Sequence, residues 1–164
     1  MGLDMFLNAE YYYGGQYREP NEHNAEEGHT LHITGEFVDK NKLSAGKVAM
    51  ITEEVISWRK ANQIHGWFMR NVAQDDIGEG IGPFYVRRKD LVRLLEDCKE
   101  TLCALDAEDY DKAEEILPPM QGCFFGQYDV KHSWYKQDIV DTIDQLVNLL
   151  SEDKDCSYYY SSSW

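Results

Sequence analysis

The sequence predicts an α+β fold, a small and mostly antiparallel sheet packed against about three helices. Three observations carry that expectation. Apolar and polar residues alternate near both ends of the chain, as in half-buried strands. Apolar residues recur at intervals of three and four in the middle and the second half, as in amphipathic helices. Strands and helices do not follow one another in the regular alternation that a doubly wound parallel sheet needs. No internal repeat or convincing domain boundary interrupts the 164 residues, which are expected to form one domain, 1–164.

The elements follow in order. Leu3, Met5 and Leu7 alternate with Asp4, Phe6 and Asn8 in a first strand, which Tyr11–Tyr13 extend. Gly14 and Gly15 end it, and a polar stretch runs to Gly28. A second strand is expected over His29–Val38, with Leu31, Ile33 and Phe37 on one face. Val48–Ser57 carries both a β-branched run and a helical spacing; it is read as a strand that turns into a helix near Trp58. That helix, about Trp58–Val72, places Trp58, Ala61, His65, Phe68 and Val72 in one stripe. A glycine-rich loop, Gln74–Pro83, leads to a short strand at Phe84–Val86. A second helix starts near Lys89 or Asp90 and turns Leu91, Leu94, Leu95, Cys98, Leu102 and Leu105 inward; a shorter helical piece over Glu108–Leu117 is stopped by Pro118-Pro119. Gly122–Gly126 forms an aromatic turn or strand. A third long helix begins at Ser133 as N-cap, with Ile139, Ile143, Leu146 and Leu150 as its seam. The tail, with Tyr158–Tyr160, is too aromatic to be solvated and is expected to be a final packed strand.

Thirty acids against 16 bases give a formal charge of -14. Such a chain repels phosphate backbones and anionic lipid surfaces, so neither direct nucleic-acid binding nor membrane binding is expected. Solubility explains the charge most simply; an acidic face for a basic partner, or a mimic of DNA, is the sharper reading. No run of 18 apolar residues occurs, and Met1–Met5 lacks the basic region of a signal peptide. Cys98, Cys103, Cys123 and Cys156 form no Cys-x-x-Cys pair and are read as free, mostly buried thiols of a cytoplasmic protein.

The segment Trp58-Arg59-Lys60-Ala61-Asn62-Gln63-Ile64-His65-Gly66-Trp67-Phe68 is the most distinctive in the chain. Together with the opening Met1-Gly2-Leu3-Asp4-Met5, the Gly122–Gly126 element and the terminal Ser163-Trp164, it resembles a family of small phage and prophage proteins. Where relatives tend to have a small capping residue before the second helix, this chain has Arg87. The resemblance implies a location in the cytoplasm of an infected bacterium and assigns no catalytic residue.

Two sites of opposite character compete. Read as one helical face, Trp58, Arg59, Asn62 and His65 offer a guanidinium for an anion and a ring for stacking. Arg87, Arg88, Lys89 and Arg93 cluster at a helix start, where unpaired N–H groups favour anions. Together Trp58, Arg59, Asn62, His65, Arg87 and Arg88 are expected to bind a small anionic, nucleotide-like host ligand and sequester it, as an anti-defence sponge. The plainer reading is a hydrogen-bonded core histidine, core rings and basic residues paired with Asp90 and Glu96. The rival site is the acidic stretch from Asp90 to Leu117, with ten acids against three bases. In it Glu108, Asp109, Asp111, Glu114 and Glu115 would dock a basic host protein, or the face is simply a charged, solvated one. A hydrolase of a signal nucleotide is a third class, but no nucleophile and base can be assembled and no Gly-x-Ser-x-Gly elbow occurs. No cofactor and no metal is expected: His23, Glu26, Glu27, His29 and His32 match no ligand spacing, and Asp75, Asp76 and Glu79 lack the order of a calcium loop. Homo-oligomer formation stays open, with Trp164 closing either the core or a subunit interface.

Overall fold

In a computed structural model of the chain, residues 2–12, 50–73, 82–122 and 129–163 are described. Nearly all of them belong to one compact unit, Met1–Tyr11 with Thr52–Trp164; Tyr12–Ile51 forms the other. The expected strand at His29–Val38, the loop residues 74–81, the aromatic element from Cys123 and Trp164 lie outside the described residues.

The described residues form four strands and four helices: β1 (Asp4–Tyr12), β2 (Met50–Arg59), α1 (Asn62–Asn71), β3 (Phe84–Val86), α2 (Arg88–Asp106), α3 (Tyr110–Ile116), α4 (Ser133–Ser151) and β4 (Ser157–Ser163). The strands make one antiparallel sheet in the order β2-β1-β4-β3, so the expected α+β fold is found. The last strand lies between the first and third: Leu7 faces Tyr160 across β1–β4, and Tyr85 faces Tyr159 across β3–β4. The period-2 pattern of β1 buries Leu3, Met5, Leu7 and Ala9 completely, while Tyr158, Tyr160 and Ser162 of β4 turn to the same core. Gly82, just before β3, has φ +84°, and a Cβ there would lie 2.6 Å from the Tyr160 carbonyl, so only glycine fits.

The helices pack on that face. Leu91, Leu94, Cys98 and Leu105 of α2 and Tyr135, Ile139 and Leu146 of α4 are buried, with Leu95, Leu102, Ile143 and Leu150 half-buried at the margin. The α2 helix ends in a Schellman motif, in which Glu108 N–H bonds to Leu105 O at 3.1 Å and Asp109 N–H to Ala104 O at 2.9 Å. Asp109 then caps α3 by accepting from Lys112 N–H at 3.2 Å. Tyr135 Oη closes the other end of α3 by donating to Leu117 O at 2.7 Å.

Three local expectations are corrected. The helix expected from Trp58 begins at Asn62. The burial alternation of β2 runs on through Ile56 and Trp58, with Ser57 and Arg59 outside, and Lys60 at φ 60° cannot continue a right-handed helix. The α1 helix has no exposed face over its first seven residues, Asn62–Phe68, so the apolar stripe marks no boundary with solvent. The N-cap of α4 is His132, whose Nδ1 accepts from Trp134 N–H at 3.2 Å; Ser133 is already helical. Of the thiols, Cys98 is buried, Cys156 half-buried and Cys103 exposed on the outer side of α2; Cys123 lies outside the described residues. All three described cysteines are free. No helix among the described residues is long and apolar enough to cross a membrane.

The β2 strand is tied to α4 by a buried chain of bonds. Trp58 Nε1 donates to Thr142 Oγ1 at 2.9 Å, and Thr142 Oγ1 donates to Asp138 O at 2.6 Å. Thr142→Val keeps the shape and strands the indole N–H, so chemical denaturation should show a loss of about 1–3 kcal/mol.

Candidate functional site

The residues expected to share an anion site are separated by the fold. Trp58 is in the core, edge-on to Phe68 at 5.8 Å between ring centroids. Arg59, the next residue of the same strand, points the other way; its side chain is 76% exposed and lies 3.7 Å from Asp4 Oδ1. Asn62 and His65 are buried to 0% and 1% exposure. Arg59 and Asn62 are therefore not neighbours on a helix, because Lys60 turns the chain between them. Two surface hollows of about 320 and 350 Å³ lie elsewhere, one beside Asp106, Tyr110 and Lys136, the other beside Glu53, Gln145 and Lys154.

His65 is built into the core. Its Nδ1 lies 2.7 Å from Tyr160 Oη, and Tyr160 in turn stacks on Phe68 with centroids 4.0 Å apart. Burial lowers the imidazole pKa to about 4, because the charged ring would lose its hydration there. A neutral ring in this setting can hold Tyr160 and fix α1 against β4. The sequence signal for its partner was the tyrosine run at 158–160, which gives the strand but not the bond.

The arginines of the basic cluster are also engaged internally. Asp90 accepts from the Arg87 backbone N–H at 3.1 Å and from its guanidinium at 2.8 and 2.9 Å, so Arg87 and Asp90 close the start of α2 together. Arg88 reaches the far end of α4 and donates to Leu150 O at 2.7 Å and Glu152 O at 3.2 Å. A guanidinium at a helix C-terminus meets orphan carbonyls and the negative end of the helix dipole. Arg93 approaches Asp97 at 4.0 Å rather than Glu96. Among the described residues no group of three His, Cys, Asp or Glu could hold a metal ion, and His23, Glu26, Glu27, His29, His32, Asp75, Asp76 and Glu79 lie outside them.

The acidic stretch divides in two. Half of it serves the fold: Asp90 with Arg87, Asp97 as acceptor for Trp67 Nε1 at 2.7 Å, Glu100 with Lys112 at 2.8 Å, Asp106 with Lys136 at 2.7 Å, and Asp109 as the α3 cap. Glu96, Glu108, Asp111, Glu114 and Glu115 are exposed and pair with no described residue. Glu108 also holds φ 57°, the left-handed position of the Schellman motif where glycine is usual. The separation of paired from unpaired acids needed the fold, since all ten look alike in the sequence.

Comparison with known proteins finds no matching family model, no similar curated protein and no similar solved structure.

Two expectations follow from this geometry. Arg88→Ala should lower stability by about 1–2 kcal/mol, whereas Arg59→Ala should stay within about 0.5 kcal/mol, as read by urea titration. His65 has a folded pKa below its unfolded value. Its contribution is therefore complete above pH 6.5 and is lost as pH falls from there towards 4. His65→Gln should remove that contribution, so that its thermal midpoint rises relative to the parent's as pH falls from 6.5 towards 4; a difference from the parent that is independent of pH would assign the titration to another group.

Proposed function

We propose that this chain is a non-enzymatic binding protein that docks a basic partner protein on the acidic face of α2 and α3. The observation that carries this reading is the set of five exposed acids on α2, on α3 and between them that are left without described partners, at the same time as Arg87 and Arg88 are consumed by helix ends. Glu108 adds a second reason. A non-glycine residue in the left-handed region costs roughly 1 kcal/mol, and such strain is retained where the side chain has a use. Asp111, Glu114 and Glu115 stand on the adjoining short helix, held rigidly by the Asp109 cap and the Tyr135 bond to Leu117. Long-range attraction from such a face speeds encounter with a cationic partner more than it tightens the final complex.

The resemblance to small phage and prophage proteins supports a partner in a bacterial host, and with it a reading of the chain as a phage accessory protein directed at a host factor. Sequestration of a small anionic ligand by Trp58, Arg59, Asn62, His65, Arg87 and Arg88 has less support, because these side chains do not converge.

Capture from a bacterial host tests the reading. The retained species should be a basic protein, and its association should weaken steeply between about 50 and 300 mM salt, since exposed charges are screened beyond roughly 10 Å at 0.1 M. Glu114→Lys with Glu115→Lys should reduce binding at least tenfold without moving the thermal midpoint by more than a few degrees. Glu108→Gly should stabilise the fold by about 0.5–1 kcal/mol and weaken binding. If heat denaturation instead releases a stoichiometric phosphorylated small molecule and the Glu114/Glu115 variant retains it, the docking reading fails and the sequestering one replaces it.

A further inference from the structure

Helix α1 is the only described helix whose first two turns are wholly buried, and three of the buried side chains are polar: Asn62, Gln63 and His65. It starts without aid from a side-chain cap and without an acid in its first turn. Two of these polar residues reach to opposite sides. Gln63, at 0% exposure, sends Nε2 to Tyr135 O and to Asp138 Oδ2 of α4, both at 3.3 Å. Its own Oε1 is buried without a hydrogen-bond partner. His65 meets Tyr160 of β4.

We infer that α1 is seated by two proton-responsive contacts of opposite sense, Gln63–Asp138 towards α4 and His65–Tyr160 towards β4, so that what acidification takes from one it returns at the other.

The argument begins with solvation. Asp138 is half-buried, its nearest donor is an amide at the long end of the hydrogen-bond range, and Asp141 of the same helix adds a like charge one turn away. Among the described residues the side-chain bonds that reach this part of α4 are the uncharged Trp58–Thr142 link from β2 and the Gln63 amide from α1, while the Arg70 guanidinium of α1 acts on Tyr135, one turn earlier on α4. No cation among the described residues pairs with Asp138. A carboxylate so placed is costly when ionised and is relieved by a proton, and burial raises its pKa to about 6, with the Gln63 bond acting the other way and Asp141 adding to the rise. The folded state therefore takes up this proton before the unfolded chain does, so its effect is to favour the fold progressively as pH falls from above 6 towards 4. His65 works in the reverse sense over an overlapping range, as the unfolded imidazole takes its proton first. Both groups bear on the same ten-residue helix, one on each side, so the seating of α1 changes less with pH than either contact alone would make it.

The test is a comparison of thermal midpoints for the full chain and Asp138→Asn from pH 7.5 to pH 5. At pH 7.5 the variant should melt higher, by roughly 2–4 °C, because it removes an ionised group that the fold disfavours. By pH 5 that advantage should vanish or reverse, leaving a variant that is acid-sensitive where the parent is not. A difference independent of pH would overturn the inference. So would Asp141→Asn giving the same pH-dependent difference, for that would assign the effect to relief of net charge. Should Asp138→Asn fail to fold, carbon-detected NMR of the Asp138 carboxyl in the parent chain decides: a midpoint near 6 is expected, and one below about 4.5 overturns the proposal.

Discussion

The stack of Phe68 on Tyr160 is the contact on which the rest of the unit depends. It joins α1, whose first seven residues are all buried, to the strand that sits between β1 and β3. Trp58 and Trp67 pack edge-on against the same phenyl ring, and His65 holds the hydroxyl of the same tyrosine. Three elements thereby meet at one aromatic centre, β2 through Trp58, α1 through His65, Trp67 and Phe68, and β4 through Tyr160. Helices α2 and α4 then close over it, with Trp67 handing its N–H to Asp97 and Trp58 handing its own to Thr142. The indoles are buried without leaving a donor unpaired, which is the condition for using so much tryptophan in a small core.

The sequence made the strands at Leu3–Leu7, Phe84–Val86 and the tyrosine-rich end legible because each has one buried face and a period of two. It made α2 and α4 legible because their apolar seams persist for several turns. It misled at Trp58, where helical and strand spacings coincide over a few residues. The deciding feature, a lysine in the left-handed region, has no pattern that precedes folding. The candidate site was less legible for the same reason. A polar-aromatic run such as Trp58–His65 describes a pocket equally well as a core that takes its polar side chains inside. Only burial separates the two, and burial is a property of elements brought together from distant parts of the chain.

Charge tells a similar story at lower resolution. The acids of α2 and α3 are uniform in composition but not in duty. Some cap, bridge or accept from tryptophan, whereas Glu108, Asp111, Glu114 and Glu115 pair with no described residue. Under the proposed docking, substitutions across these helices fall into two groups, one altering stability and the other altering recognition, and the boundary runs between residues adjacent in sequence, such as Glu108 and Asp109.

The pairing of β1 with β4 bears on how such a chain comes to be folded. Leu7 lies opposite Tyr160, so the central ladder of the sheet joins segments from nearly opposite ends of the sequence. During synthesis β1 emerges well before β4 and has no β4 to pair with until the Tyr158–Tyr160 run has left the ribosome. Its alternating apolar face must wait, and closure of so long a loop gives slow, late assembly. Helices α2 and α4 can form locally in that interval, but the aromatic centre cannot. A chain released before its tyrosines would carry an exposed strand edge rather than a smaller domain, and such an edge invites pairing with other chains.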